Sequence, residues 1–146
     1  MSADGKMGEM TLQTMDQTVP VSNAARWTGR VMSGLVILFL LFDGVIKLIP
    51  LDIVITTSEQ IGIPPSFART LGVLTLLGAA FYAFPRTSVL GAILLTGYLG
   101  GAIWTHLRVD GPLFSYTLFG VYLGLLIWGG LWLRDELLRA LMPLRA

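Results

Sequence analysis

The sequence predicts an all-α membrane protein: an antiparallel bundle of four transmembrane helices, with a short interfacial helix between spans 1 and 2. Three observations support this prediction. The chain of 146 residues is 54% hydrophobic and 13% charged, whereas soluble domains are usually about 25% charged. The charged residues gather at the two ends and in short gaps, which leaves four long apolar runs. Each run approaches the roughly 20 helical residues that cross a bilayer.

The chain begins with a polar segment, residues 1–25, which has no periodic apolar face. We therefore expect a flexible cytoplasmic tail there. A secretory signal peptide would begin with a basic region followed at once by an apolar core, but the first apolar run starts only near Val31. Residues 26–146 are predicted to form one transmembrane domain.

The first span is predicted over residues 27–49 and ends before Pro50, because proline cannot continue the helical hydrogen-bond ladder. Residues 51–67 combine a short apolar face with a glycine and a Pro-Pro pair. This pattern favours a short helix at the membrane interface, followed by a turn.

The second and third spans are predicted over residues 68–84 and 88–107. The turn between them, Pro85-Arg86-Thr87, is so short that the two helices must form an antiparallel hairpin. The fourth span is predicted over residues 113–133, after a turn that contains Gly111 and Pro112.

The distribution of lysine and arginine predicts the orientation in the membrane. On the side of the two termini lie Lys6, Arg26, Arg30, Arg86, Arg134, Arg139 and Arg145, and on the opposite side lie Lys47, Arg69 and Arg108. Since cytoplasmic loops carry the excess of positive charge, we expect a protein of the cell (inner) membrane with both termini in the cytoplasm.

The composition also excludes several kinds of chemistry. The chain has no cysteine, so it cannot form disulfides, thiolate metal sites or iron–sulfur ligands by itself. Its net charge of +1 gives no basis for a nucleic-acid partner. No catalytic, phosphate-loop or metal-ligand motif is visible, which favours a protein that is not an enzyme on its own.

Four residues are candidates for a polar cluster in the outer half of the bundle: Asp43, Lys47, His106 and Arg108. Ionisable residues within a span are costly and are functional by default. The helical rise places Lys47 and His106 within roughly 5 Å of each other along the membrane normal. In the alternative interpretation, Asp43 and Lys47 only neutralise each other while Lys47 reaches toward the surface, and His106 caps a helix end.

Two glycine pairs with a spacing of four residues are candidates for helix packing: Gly97 with Gly101, and Gly120 with Gly124. Small residues allow helix backbones to approach closely in lipid. At 100° per residue the first pair lies opposite His106, so we expect that face to pack and the other to present the histidine. A slot for a small molecule beside the glycines is the alternative.

Three segments, FDGVIKL (42–48), LGVLTLLGAAFYAFPRTSVLGAILLTGYLGGAIWTHLRV (71–109) and GGLWLRDELLRALMPLR (129–145), resemble the DoxX-like family of small four-helix membrane proteins. The resemblance implies a four-span bundle. The family's name comes from quinol-oxidising and thiosulfate-oxidising membrane systems, and some relatives are described as parts of membrane oxidoreductase complexes. Asp43, Lys47, His106 and Arg108 match the family pattern. Thr75 departs from it, because relatives usually have an acidic residue there, in LGxLEL.

Two functions remain open at this stage. The first is an accessory subunit of a quinone-linked membrane redox assembly, whose partners would be membrane oxidoreductase subunits and whose cofactor would be a quinone. The family resemblance and the outer polar residues favour it. The alternative is a non-enzymatic homo-oligomeric bundle that acts as a small transporter or as a structural helper, which the glycine faces favour.

Overall fold

The computed structural model describes residues 3–15 and 20–142 of the chain. These ranges are helical with short connections and contain no strand. The helices are α1 (Ala3–Met15), α2 (Asn23–Leu48), α3 (Asp52–Gln60), α4 (Ser66–Ala83), α5 (Ser88–Arg108), α6 (Phe119–Arg134) and α7 (Glu136–Leu141), and a π-helical segment, Leu113–Thr117, precedes α6.

Four helical segments are long and apolar enough to span a membrane: α2, α4, α5 and the π segment together with α6. The predicted fold class is confirmed, including the short helix α3 between spans 1 and 2. The largest difference in a span boundary is at α2, which begins at Asn23. The Ser22 hydroxyl accepts a hydrogen bond from the Ala25 N–H over 3.2 Å, and this cap starts the helix ahead of its apolar part.

The spans form a ring in which each packs against two neighbours. Helix α2 contacts α4 and α6, and α5 contacts the same two helices from the other side. Most apolar side chains of the spans point outward, as expected where lipid takes the place of water as the solvent.

Glycines set the separation between α2 and its neighbours. A methyl group placed on Gly29 of α2 would lie 2.7 Å from the carbonyl oxygen of Gly130 on α6. A methyl group on Gly72 of α4 would lie 2.8 Å from the carbonyl oxygen of Gly44 on α2. Both distances are far below van der Waals contact, so α2 lies backbone to backbone on both helices, which dispersion favours in lipid.

Tyr82 is the largest fully buried side chain of the described core. Its hydroxyl donates a hydrogen bond of 2.8 Å to the carbonyl oxygen of Ile127 and lies 3.0 Å from the Ser33 hydroxyl. A single side chain of α4 is thereby joined to both α2 and α6. A buried phenol needs such partners, because an unpaired hydroxyl in an apolar core is costly.

The segment predicted as a flexible tail contains helix α1, over Ala3–Met15. The side chains of residues 3–10 are exposed, which agrees with the absence of a periodic apolar face. Helical structure in this segment was not expected from the sequence. Its location in the cytoplasm stays a prediction.

Candidate functional site

The most polar group within the spans is formed by Asp43 and Lys47 of α2 and Tyr98 of α5. The Lys47 ammonium donates to Asp43 Oδ2 over 2.5 Å and to the Tyr98 hydroxyl over 2.7 Å. It also lies 5.5 Å from the centre of the Tyr98 ring, within the range of cation–π attraction. We call these three residues the Lys47 triad.

The backbone contact between α2 and α4 positions the Lys47 side chain. A methyl group on Gly72 would lie 3.1 Å from Lys47 Cβ, so the lysine stem crosses α4 at a position that has no side chain. From there the ammonium reaches α5, where Tyr98 packs against the apolar core. The side chains of Lys47 and Asp43 remain 24% and 26% exposed, so the pair is accessible from outside the bundle.

The Lys47 triad has hydrogen-bonding capacity that its internal contacts do not use. An ammonium has three N–H donors, and two of them are directed to Asp43 and Tyr98. The Tyr98 hydroxyl accepts from Lys47 and keeps its own proton available for donation. A carbonyl oxygen beside the triad could therefore receive two hydrogen bonds.

His106 lies in the last turn of α5 and stacks on Tyr116 of the π segment, with ring centres 5.6 Å apart and planes inclined by 25°. Its carbonyl oxygen accepts a 3.0 Å hydrogen bond from the Gly111 N–H, which closes the turn after α5. No hydrogen bond joins His106 to Asp43 or Lys47 within the described chain. Eight residues of helix, about 12 Å, separate His106 from Tyr98.

Arg108 makes a third, separate contact at this end of the bundle. Its guanidinium donates to the carbonyl oxygens of Ile61 and Gly62 over 3.2 and 3.5 Å. These carbonyls follow the C-terminus of α3, where a helix carries partial negative charge. The structure thus divides the predicted polar cluster into the Lys47 triad, the stacked pair of His106 and Tyr116, and the contact of Arg108 with the end of α3.

The glycines that were predicted to pack behave differently on the two helices. A methyl group on Gly120 would lie 2.8 Å from Ile103 Cγ1, and one on Gly124 would lie 4.0 Å from Leu99 Cδ1. Gly120 is thus in tight contact with α5, and Gly124 in ordinary contact. Among the described residues, nothing lies within 4 Å of a methyl group on Gly97 or Gly101.

The expectation that the Gly97–Gly101 face packs within the chain was therefore wrong. The buried residues of α5 are Ser88, Gly91, Ala92, Leu95 and Leu99, and they define a face from which the two glycines are turned away. Three of these five residues are small, which lets α5 approach its neighbours closely, while larger side chains such as Leu90, Ile93 and Leu94 are exposed. A role for Gly97 and Gly101 between chains stays a prediction.

Within the described residues, no group of three or more His, Asp or Glu side chains could hold a metal ion.

Comparison with family models found a match to the DoxX-like family over residues 31–130. This range covers about two thirds of the chain. The chain belongs to the DoxX-like family. Comparisons with curated proteins and with solved structures found no match. The matched range contains the Lys47 triad, His106 and Arg108, and it ends before Arg134 at the end of α6.

Sequence analysis of this DoxX-like protein did not identify Tyr98 as a site residue. Tyr98 is 51 positions from Lys47, and the two come together only because α2 and α5 both pack against α4. The available signal was a tyrosine hydroxyl in the middle of an apolar span, where a polar group needs a partner. Thr75, the departure from the family pattern, is fully buried and donates to the Leu71 carbonyl over 2.9 Å.

Proposed function

We propose that this DoxX-like protein is an accessory subunit of a quinone-linked membrane redox assembly, and that the Lys47 triad contacts the quinone headgroup. The observation that supports this most directly is the triad itself. A lysine ammonium is held by Asp43 and Tyr98 within an apolar span, and a quarter of its side chain remains exposed. An ionisable pair in a span is costly, so a binding role is its default interpretation.

The donor set fits a quinone carbonyl. Lys47 would donate its third N–H and Tyr98 its hydroxyl proton, while Asp43 holds the ammonium in place and balances its charge. A bound quinone would supply two-electron redox chemistry, and this chain would orient the ring and direct protons toward its oxygen. The remaining catalytic groups would belong to the partner subunits, since we propose that this chain is not an enzyme by itself.

The orientation that we propose places both termini in the cytoplasm, on the inner membrane. The excess of lysine and arginine at the ends of the chain supports it. The Lys47 triad near the C-terminal end of α2 then lies in the outer half of the membrane.

The test measures quinone retained by the tagged protein after extraction from native membranes into mild detergent. Lys47→Met removes the ammonium and keeps the apolar stem, and Tyr98→Phe removes only the hydroxyl. Hydrogen bonds to charged groups contribute about 1.5–3 kcal/mol, so Lys47→Met should lower the retained quinone at least about tenfold. Tyr98→Phe should cause a smaller loss.

Arg69→Ala is the matched control, because Arg69 is an exposed cation at the same end of the bundle. It should leave the retained quinone unchanged. The same extraction should recover oxidoreductase subunits with the wild-type protein. Equal quinone in Lys47→Met and wild type, or no quinone in either, would contradict the proposed role.

The second candidate is a non-enzymatic homo-oligomer that acts as a small transporter or helper. The observation in its favour is the open face of α5 at Gly97 and Gly101, where no atom of the described part of the chain lies within 4 Å of an added methyl group. Such a face allows a helix of another copy to approach closely. Native mass spectrometry from lipid nanodiscs tests it: an oligomer of the wild-type chain should dissociate in Gly101→Leu, and a monomeric wild-type protein would refute this function.

A further inference from the structure

A charged cavity lies at the opposite end of the bundle from the Lys47 triad. Its volume is about 430 Å³, and its polar lining comes from the start of α2, the start of α5, the end of α6 and the start of α7. We call it the arginine cavity, after Arg26, Arg30 and Arg134, and Ser88 lies in its wall. The three arginines lie outside the range that the family model matches.

The carboxylates at the arginine cavity are already engaged. Glu136 forms an ion pair with Arg26. Asp135 Oδ1 accepts hydrogen bonds from the N–H groups of Leu137 and Leu138, over 3.0 and 3.2 Å, and so caps α7. Within residues 3–15 and 20–142, neither Arg30 nor Arg134 forms an ion pair with a carboxylate. The lining contains three guanidinium groups and two carboxylates, so it carries a net charge of one positive unit.

Arg134 is held in place by its contacts with Tyr82. The guanidinium lies 5.1 Å from the centre of the Tyr82 ring and donates to the Tyr82 carbonyl oxygen over 3.2 Å. Its Nε–H is buried and has no hydrogen-bond acceptor among the described residues. A buried donor without an acceptor is unfavourable, which leaves the Arg134 guanidinium incompletely hydrogen-bonded beside the cavity.

The start of α5 adds to the positive potential. This helix begins at Ser88 in the cavity wall, and the N-terminus of a helix carries partial positive charge and favours anions such as phosphate. Arg30 also lies 5.8 Å from the ring of Trp27, which is 64% exposed. An exposed tryptophan beside arginines at the end of a span is typical of the headgroup level of a membrane.

We propose that the arginine cavity binds a phosphate group, with Arg30 and Arg134 as its main ligands. Guanidinium groups bind phosphate oxygens in pairs of parallel hydrogen bonds. Two sources share this chemistry: the headgroup of an anionic phospholipid at this end of the bundle, and free inorganic phosphate. The proposal is independent of the quinone-linked function, because the Lys47 triad lies at the other end of the spans.

The test uses the full-length protein in nanodiscs and in detergent. Native mass spectrometry counts phosphatidylglycerol molecules retained from nanodiscs of phosphatidylglycerol and phosphatidylcholine in equal parts. In parallel, the melting temperature in detergent is measured with added phosphatidylglycerol, phosphatidylcholine or inorganic phosphate. Arg30→Gln is the main variant, because Arg30 is exposed and its loss leaves the core intact. Arg86→Gln is the matched control, an exposed arginine at the same end that does not line the cavity.

The expected result is selective retention of phosphatidylglycerol by wild type and by Arg86→Gln, with an affinity about tenfold lower in Arg30→Gln. Arg30→Lys should recover part of the affinity, since lysine keeps the charge but not the paired geometry. Stabilisation by phosphatidylglycerol alone assigns the site to a lipid headgroup, and stabilisation by inorganic phosphate that Arg30→Gln abolishes assigns it to free phosphate. Equal retention of the two lipids together with no stabilisation by inorganic phosphate, or equal affinity for the bound ligand in Arg30→Gln and Arg86→Gln, would overturn the proposal.

Discussion

Replacing Gly91 with alanine should destabilise the bundle by about 2–4 kcal/mol. Gly91 lies in the first turn of α5, where the four-residue connection from Ala83 to Ser88 brings α5 against the end of α4. The added methyl group would lie 2.5 Å from Tyr82 Cα and 2.7 Å from the Phe81 carbonyl carbon, and it would also overlap the Tyr82 nitrogen. All three are backbone atoms, so no change of rotamer can relieve the overlap.

The expected magnitude follows from how far the helices must move. Carbon atoms in good contact lie about 3.5–4.0 Å apart, so α5 and α4 must separate by roughly 1 Å at this point. Overpacking of this kind costs about 1–3 kcal/mol. The displaced backbone belongs to Tyr82, whose hydroxyl contacts Ser33 and Ile127. Losing these two hydrogen bonds would add about 0.6 kcal/mol each, the average measured between membrane helices.

The assay is reversible unfolding of the purified protein in mixed micelles by increasing amounts of SDS, followed by tryptophan fluorescence. Gly97→Ala and Gly100→Ala are the matched controls, because they lie on the same helix and their added methyl groups have no neighbour within 4 Å in residues 3–15 and 20–142. Each control should change the free energy of unfolding by less than about 1 kcal/mol, the difference in helix propensity between glycine and alanine. If the Gly91→Ala variant is as stable as the two controls, the close contact between the α4 and α5 backbones does not exclude a side chain at position 91, and the reasoning is refuted.

Three further predictions concern the polar groups. Tyr82→Phe should lower the free energy of unfolding by about 0.5–1.5 kcal/mol. Tyr122→Phe, at a residue that is 48% exposed, should leave it unchanged in the same assay. Equal effects of the two substitutions would contradict the hydrogen bonding described for the Tyr82 hydroxyl. Lys47→Met should lower the free energy of unfolding by about 1–3 kcal/mol, because it leaves the Asp43 carboxylate without its partner. In a double-mutant cycle with Asp43→Leu, the double variant should lose less of this free energy than the two single variants combined. Simple additivity would mean that the pair is not coupled. Gly62→Ala should lower the melting temperature and reduce the free energy of unfolding by about 1 kcal/mol. Gly62 has a φ of 69°, and its added methyl group would lie 2.9 Å from Arg108 Nη2. An unchanged melting temperature would argue against this strained turn.

The four spans and the helix between the first two could be predicted because they depend on composition along the chain. Removal of backbone polar groups from lipid requires continuous helix across the bilayer, and a proline or glycine follows closely after the ends of α2, α3, α4 and α5. The contact between Asp43 and Lys47 is likewise local, since residues four apart share a helix face. These features require no knowledge of which helices are neighbours.

The partners of individual residues across the bundle could not be predicted in the same way. Helix α5 has glycines at 91, 97, 100 and 101, and their spacing alone does not distinguish the one that contacts α4 from those that face outward. That distinction depends on Leu95 and Leu99, which set the buried face. For the same reason Tyr98 was missed, although its hydroxyl completes the hydrogen bonding of Lys47.

The two charged sites depend on the same physical arrangement at opposite ends of the bundle. Lys47 crosses α4 at Gly72. Arg134 lies over the ring of Tyr82, and the backbone of Tyr82 is in close contact with Gly91. A charged group in a span needs polar partners, and close contact between backbones brings polar groups of the neighbouring helices within reach of one side chain. Substitutions at Gly72 and Gly91 should therefore alter not only stability but also the geometry of the Lys47 triad and of the arginine cavity, each at its own end.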